Sequence, residues 1–280
     1  MGRERKPVCK ECKQQTCTKL RTEEAKLKRF KIDAQAADAA YSDNPIPPKG
    51  FRNATDDDLN NLGLTRDYIQ NPIDKKTGQP TNFKTAVFVN ESNGEKIIAF
   101  RGSTLSGDDW TTNAKQGLGK ETFYYTRAQN IAKRIADSPG GGNARFTGHS
   151  LGGGLASAAA RATGKDATTF NAAGLHQDTV KDPNSAGQID AVYVRGEALT
   201  TAQNLPGLAK AAASKSWPLD PPPSIGVAIL KRLAGAIGGL KGRAAAAVIR
   251  SADLHRMKHV HSSLDQREQQ VAKNIEANGC

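Results

Sequence analysis

The sequence predicts an α/β fold in which a mainly parallel sheet is covered by helices on both faces. Three observations predict this fold class. Strand-like and helix-like segments alternate after residue 84, and the connections between them are short, as in chains whose parallel strands are crossed by helices. The hydrophobic fraction of 37%, together with abundant glycine, is typical of a globular chain. A length of 280 residues suits one large domain or two small ones.

Two helices are predicted before the sheet begins. Residues 26–41 carry Ala34, Ala37 and Tyr41 at helical spacing, and the prolines that follow end this helix. Residues 56–64 suit a short capped helix.

The sheet is predicted from residue 84 onwards. Lys84–Asn90 and Glu95–Arg101 flank the turn signal Asn93-Gly94, and this pattern predicts a hairpin. A last helix is expected from about Met257 to Ile275, with its apolar residues roughly on one face. Between them the alternating elements are a helix at 122–137, a strand at 144–147, a helix at 151–163, and strands at 167–171 and 189–195.

Positive charge is concentrated at the two ends of the chain. Lys and Arg number 40 against 28 Asp and Glu. Eleven of the basic residues lie in residues 1–31 and eleven in residues 205–280, so both ends are expected to favour anionic surfaces. The predicted organisation is a basic, solvated arm with cysteines at residues 1–30, followed by one domain at residues 31–280. Residues 205–250 are predicted to form a lid-like insertion in that domain.

Neither a secretory signal peptide nor a transmembrane helix is expected from the sequence. The first thirty residues are charged, and Lys231-Arg232 interrupts the longest apolar stretch, whereas a spanning helix needs about 20 predominantly apolar residues. All four cysteines lie at the chain ends, so no disulfide framework is expected. Cys9, Cys12 and Cys17 would need a fourth ligand to hold zinc. Free thiols on a flexible arm are the preferred interpretation.

The motif that carries chemistry is Gly148-His149-Ser150-Leu151-Gly152, which matches G-x-S-x-G. It lies between a predicted strand and an Ala-rich helix, the setting in which this motif forms a sharp, strained turn. The glycines remove side chains that would clash, and the Ser150 hydroxyl stands above the sheet as the predicted nucleophile. The alternatives are an ordinary glycine-rich connection from strand to helix and an anion-binding loop at a helix start. Such a loop favours a Lys after its glycines, and none follows here.

A serine hydroxyl needs a base, and a histidine held by a carboxylate is the usual solution. With this turn the chain order is Ser, acid, His, so the base is expected near the C-terminus. His255 precedes the last helix, where a loop can direct its ring towards the sheet edge, and it is the preferred base. His259 and His261 fall within that helix and remain less favoured alternatives. His149 is expected to point away from the hydroxyl and to pack.

Glu197 is the preferred acid because it follows strand 189–195 at its carboxyl end, where catalytic groups collect in such sheets. Asp190 begins the same strand and is expected to serve solubility or a turn. Asp178 and Asp182 are interpreted as solvated turn residues of the preceding loop.

An oxyanion formed during acyl transfer needs two donors. Leu151, directly after the nucleophile, offers its backbone N–H, and the loop that follows Phe100 offers the second donor. There Gly102 lets the backbone approach, and Ser103 supplies an N–H and a hydroxyl. This chemistry needs no metal or cofactor, and none is expected.

Four segments occur in the order Ala99–Ser103, Asp109-Trp110, Gly148–Gly152 and Phe170-Asn171. Together they resemble the class 3 lipases, which have the α/β-hydrolase fold. The nearer likeness is to the lipase-like effectors of bacterial type VI secretion. In that family a His followed two positions later by Met opens the last helix, as His255-Arg256-Met257 does here. The family acid is usually Asp and its oxyanion residue usually Thr; Glu197 and Ser103 keep those functional groups. The resemblance covers about residues 36–275.

The resemblance implies ester hydrolysis of membrane phospholipids, of the phospholipase A1 type, by an antibacterial effector. Such a protein leaves the cytoplasm of its producer without a signal peptide and enters a target cell. The resemblance also implies two partners, an immunity protein and a carrier from the secretion apparatus. An anionic membrane surface is expected as well, because residues 221–250 mix apolar with basic residues. A packed helical pair with a solvated basic face is the alternative for that segment.

Two other functions compete with lipid hydrolysis. A small-molecule carboxylesterase would use the same residues, but the lid-like insertion argues against it. A non-catalytic basic binding module is the second. No nucleic-acid-binding motif is present and aromatic residues make up only 5% of the chain, so no nucleic-acid partner is expected.

Overall fold

The structure is a computed structural model that describes residues 10–73, 78, 80–103, 110–181, 183, 184, 186–223 and 247–280, apart from the side chains of residues 10, 12 and 110–122. The strands are β1 (Phe51–Asn53), β2 (Thr85–Asn90), β3 (Lys96–Phe100), β4 (Ala144–His149), β5 (Ala167–Phe170), β6 (Ile189–Val194) and β7 (Lys215–Leu219). The helices are α1 (Lys10–Ala39), α2 (Asp56–Asn61), α3 (Arg66–Ile69), α4 (Trp110–Asp137), α5 (Leu151–Thr163), α6 (Ala198–Ala202) and α7 (Met257–Ala277), and residues 247–254 are also helical.

The seven described strands form one mainly parallel sheet in chain order, from β1 to β7. The first three strands pair antiparallel, and each pair from β3 to β7 is parallel. The predicted α/β fold class and the β2–β3 hairpin are therefore confirmed. The predicted bounds of β4, α5, β5 and β6 agree with the structure to within two residues. Of the described helices, none is both long and apolar enough to cross a membrane.

Side chains of adjacent strand residues enter different cores. Ile98 of β3 lies in a cluster with Ile131 of α4 and Leu155 of α5, whereas its neighbour Ile97 faces α1. This follows from the alternation of side chains along a strand. Right-handed crossovers explain why α4 and α5 share one face. Helices α1 and α7 cover the other face, where Leu264 packs in a common cluster with α1.

Helix α1 begins earlier than predicted and packs more fully. The sequence places a solvated arm up to residue 30, but Leu27 and Phe30 are buried in the cluster that α1 shares with α7 and β6. Asp33 is fully buried as well, and its Oδ1 lies 2.8 Å from Nε of Arg145 on β4. The expectation of poor packing is therefore wrong for the part of the arm that leads into this core.

Ion pairs with α7 explain why the charged residues of α1 do not keep it in solvent. Lys31 Nζ lies 2.7 Å from Oε2 of Glu268, and Arg267 Nε lies 2.7 Å from Oε1 of Glu23. These partners are more than 200 positions apart along the chain. The sequence alone gives their charges but not their proximity.

A disulfide bond joins Cys17 of α1 to Cys280. The expectation of a free thiol is wrong for Cys17, because α1 and α7 lie side by side and bring it to Cys280. Arg21 strengthens this junction by donating to the Cys280 carbonyl at 3.0 Å. Closing so long a loop restricts the unfolded chain and thereby stabilises the fold. Cys17 is no longer a thiolate that could bind zinc, and Cys9 and the Cys12 side chain lie outside the described residues.

Part of the predicted insertion at residues 205–250 belongs to the sheet. Lys215–Leu219 form β7, which pairs with β6 along its length. Three of its five residues are exposed, as is common for a strand at a sheet edge, so no apolar run marks it in the sequence. Residues 224–246, the centre of the predicted lid, lie outside the described residues.

Candidate active site

The chain turns sharply at Ser150, between β4 and α5. Ser150 has φ 59° and ψ −127°, which is costly for a residue with a Cβ. The turn requires glycine on both sides. A Cβ on Gly148 would lie 2.2 Å from the Gly152 carbonyl oxygen, and one on Gly152 would lie 2.1 Å from that of Phe100. Ser150 N–H donates to the Phe170 carbonyl at 3.0 Å, so the adjacent strand holds the turn at the carboxyl edge of the sheet.

The side chains of Ser150, His255 and Glu197 form one hydrogen-bonded line. His255 Nε2 lies 2.9 Å from Ser150 Oγ, and its Nδ1 lies 2.7 Å from Glu197 Oε2. When Nδ1–H donates to the carboxylate, Nε2 is left to accept the proton of the hydroxyl. Such a line can activate a serine and stabilise the imidazolium that forms.

Glu197 is fully buried, yet its carboxylate has several donors. It caps α6 by accepting hydrogen bonds from the backbone N–H groups of Leu199 and Thr200. Burial by itself would raise the pKa of Glu197. The hydrogen bond and the charge of His255 lower it, and so do the hydrogen bonds that Thr200 donates. Together they outweigh burial and hold the pKa of Glu197 below its ordinary value. The carboxylate is therefore ionised at neutral pH and fixed in orientation.

The alternative histidines lie away from Ser150. His259 Nε2 lies 2.7 Å from Oδ2 of Asp253, and His261 Nε2 lies 3.2 Å from Oδ2 of Asp38. Of the histidines proposed for the base, the structure brings His255 to the hydroxyl.

Asp190 lies at the opposite end of β6 from Glu197, as the strand direction predicts. It is buried, and its carboxylate accepts from Lys26 Nζ at 2.6 Å and from Trp217 Nε1 at 2.8 Å. The expectation of a solubility or turn role is wrong, because these bonds tie β6 to α1 and β7. Asp178 is exposed, as expected of a turn residue, and Asp182 lies outside the described residues.

The two predicted oxyanion donors flank the turn. Leu151 is the first residue of α5, so its N–H has no carbonyl partner within the helix. Gly102 approaches the turn so closely that a Cβ there would lie 2.6 Å from the His149 carbonyl oxygen. Ser103 follows and is exposed. Residues 104–109 lie outside the described residues.

Three polar residues lie around His255: His149, which the sequence predicts only to pack, and Tyr41 and Asn171, for which the sequence predicts no role in the site. His149 bonds to Tyr41 through Nδ1 and to the His255 carbonyl through Nε2. Asn171 donates to the same carbonyl at 3.0 Å. Burial lowers the pKa of His149 to about 3. The position of Asn171, directly after a strand at the carboxyl edge, was the signal available in the sequence.

A family model described as a Tle-like phospholipase domain matches residues 32–266. This chain belongs to the Tle-like phospholipase domain family. The serine turn at the carboxyl edge of a mainly parallel sheet agrees with the α/β-hydrolase fold expected from the resemblance to lipases. An extracellular phospholipase A1 from Serratia liquefaciens is 34% identical over 157 residues, which are 55% of this chain and 46% of that protein. The chain thus spans about half the length of this relative of the Tle-like domain.

Two solved structures show a remote similarity to this Tle-like domain. A triacylglycerol lipase from Penicillium expansum has a TM-score of 0.40 and 16% identity, covering 71% of this chain and 79% of that chain. A dienelactone hydrolase-like promiscuous phosphotriesterase from metagenomic libraries has a TM-score of 0.30 and 13% identity, covering 62% and 91%.

Proposed function

We propose that this protein is a serine phospholipase that hydrolyses acyl esters of membrane glycerophospholipids. Ser150 is the nucleophile, His255 the base and Glu197 the acid. The observation that carries the proposal is the hydrogen-bonded line from Ser150 Oγ through the His255 ring to the Glu197 carboxylate, in a domain of the Tle-like phospholipase family. Cleavage of the first acyl ester is proposed because the relative from Serratia liquefaciens is a phospholipase A1.

The proposed reaction proceeds through an acyl-enzyme. Ser150 Oγ forms a bond to the acyl carbonyl carbon while His255 Nε2 takes its proton, and the oxyanion accepts hydrogen bonds from Leu151 and Ser103. The ester C–O bond then breaks, and the His255 proton passes to the departing lysophospholipid hydroxyl. Water attacks the acyl-enzyme with the same ring as base, which releases the fatty acid and restores Ser150.

Replacement of each of the three side chains should abolish hydrolysis. Ser150→Ala removes the nucleophile, His255→Ala the base, and Glu197→Gln the charge that supports the imidazolium. Each should lower turnover by about four orders of magnitude. The measurement is release of fatty acid and lysophospholipid from vesicles of mixed bacterial phospholipids, followed by chromatography and mass spectrometry, beside thermal unfolding of each variant.

Two variants serve as matched controls. Asp190→Asn alters the other buried carboxylate of the same strand region and should lower stability while keeping turnover. His261→Ala should keep turnover, since that ring pairs with Asp38. More than about a tenth of wild-type turnover in Ser150→Ala would overturn the nucleophile. Cleavage of short soluble esters without cleavage of vesicles would favour a small-molecule carboxylesterase.

The second part of the proposal is that the enzyme docks on anionic bilayers near the catalytic line. Leu205 and Leu208 are 61% and 41% exposed, in the segment that follows Glu197 and α6. Val248 and Ile249 are 60% and 58% exposed, on the helical segment that leads to His255. Large apolar side chains beside a basic chain end suit an anionic lipid interface.

Binding to anionic vesicles should weaken as salt shortens the Debye length from about 10 Å at 0.1 M to about 3 Å at 1 M. The double variant Val248→Ser/Ile249→Ser should bind these vesicles less tightly at every salt concentration, because it removes apolar surface. Co-sedimentation measures both effects. Equal affinity for neutral and anionic vesicles, unaffected by salt, would contradict docking through positive charge.

The third part concerns biology: the protein acts as an antibacterial effector, delivered by a type VI apparatus and neutralised in its producer by an immunity protein. Its resemblance to lipase-like effectors supports this role, as does its place in the Tle-like family. The Cys17–Cys280 disulfide also suits an oxidising compartment outside the cytoplasm.

Export of the chain to the periplasm of a sensitive bacterium should lower viability, and the Ser150→Ala variant should not. Retention of the chain in the cytoplasm of the same strain is the compartment control. Equal viability of cells that export active enzyme and of cells that export the Ser150→Ala variant would contradict the effector role.

A further inference from the structure

His149 occupies the variable position of the G-x-S-x-G turn, yet its side chain is fully engaged. Its ring is buried, with Nδ1 2.9 Å from the Tyr41 hydroxyl and Nε2 2.7 Å from the carbonyl oxygen of His255. The turn itself requires glycine at Gly148 and Gly152 and places no demand on the residue between Gly148 and Ser150. An imidazole with a partner at each nitrogen therefore serves something beyond the turn.

The direction of each hydrogen bond follows from one fixed acceptor. The His255 carbonyl can only accept, so His149 Nε2 carries the hydrogen and Nδ1 is the acceptor. The Tyr41 hydroxyl then donates to Nδ1, and its oxygen lies against the backbone of Gly102. This tautomer is neutral, which agrees with the burial that lowers the pKa of His149 to about 3.

These bonds connect the two loops that the proposed reaction uses. One end of the series is Gly102, which precedes Ser103, and a Cβ at Gly102 would lie 2.1 Å from the Tyr41 hydroxyl oxygen. The other end is the backbone of His255. The connection passes through the residue before Ser150, so His149 links the segments of Ser150 and His255 directly and that of Ser103 through Tyr41.

His255 is held by contacts to its backbone carbonyl and to its ring. Its carbonyl accepts from His149 and also from Asn171 Nδ2 at 3.0 Å, while Asn171 Oδ1 accepts from Val194 N–H at 2.9 Å. The ring of His255 packs on the ring of His149 with centroids 4.7 Å apart. The first contact fixes the backbone of the base and the second restrains the plane of its imidazole.

We propose that His149, held by Tyr41, is a positioning residue that directs His255 Nε2 towards Ser150 Oγ. This inference rests on the proposed function. His149 acts through the His255 carbonyl and ring, and Tyr41 acts through His149 and Gly102. Because catalysis depends on alignment at the level of about 1 Å, loss of the donor should affect turnover more than substrate binding.

The test is steady-state hydrolysis of one soluble short-chain ester by a set of single variants. His149→Phe keeps a flat ring without either nitrogen and should lower kcat by about 10- to 100-fold, with KM nearly unchanged. His149→Gln can place an N–H donor near the position of Nε2 and should recover part of this loss. Tyr41→Phe removes only the hydroxyl and should give a smaller decrease. His261→Phe, a substitution outside the series, should match wild type.

The outcomes separate the positioning role from the proposed function. If Ser150→Ala hydrolyses the same ester like wild type, the proposed function is wrong. If hydrolysis depends on Ser150 and folded His149→Phe keeps the full kcat, the positioning role is wrong. Thermal unfolding of every variant identifies one that fails to fold. If His149→Phe fails to fold, His149→Gln and Tyr41→Phe test the proposal instead. The proposal is overturned if folded His149→Gln has a kcat at the background level of Ser150→Ala while Tyr41→Phe keeps the wild-type kcat.

Discussion

The strained backbone of Ser150 is the constraint on which the rest of the site depends. Because β4 ends in this turn, the hydroxyl stands at the carboxyl edge of the sheet, beside the ends of β5 and β6. The turn needs glycine on both sides and a hydrogen bond from Ser150 N–H to Phe170. Once it is formed, a strand that ends at the same edge can bring a carboxylate close to it, as β6 does before Glu197.

The layer formed by helices α1 and α7 positions the residues that contact the turn at Ser150. His255 lies just before α7, and Tyr41 lies just after α1, so both reach the turn from the same face of the sheet. Ion pairs between the helices and the Cys17–Cys280 disulfide keep this layer together. The buried pair of Asp33 and Arg145 joins it to β4, and Arg29 and Glu95 are further ionic partners of this pair. Helices α1 and α7 therefore contribute to the geometry around Ser150.

Local patterns predicted much of the fold and of the candidate site. The hairpin signal at Asn93-Gly94 and the setting of G-x-S-x-G both correspond to the observed elements, because turn chemistry depends on neighbouring residues. Strand direction was enough to separate Glu197 from Asp190. These inferences required no knowledge of contacts between distant segments.

The differences arise where distant segments meet. The charges of α1 suggest a solvated arm until their partners on α7 are known. Asp190 likewise suggests an exposed residue until its partners Lys26 and Trp217 are known. Strand β7 has little apolar signal because it lies at the edge. His149 could be placed in the turn from sequence, but its two hydrogen-bond partners are 108 and 106 positions away.

The most direct test of the central claim is covalent labelling by an alkyl fluorophosphonate, followed by mass spectrometry of the peptides. Attack by the activated hydroxyl forms an O–P bond, releases fluoride and transfers the hydroxyl proton to His255. We expect one phosphonyl group per chain, located on Ser150, and very slow labelling of His255→Ala. Labelling of another residue, or an unchanged rate in His255→Ala, would contradict this expectation.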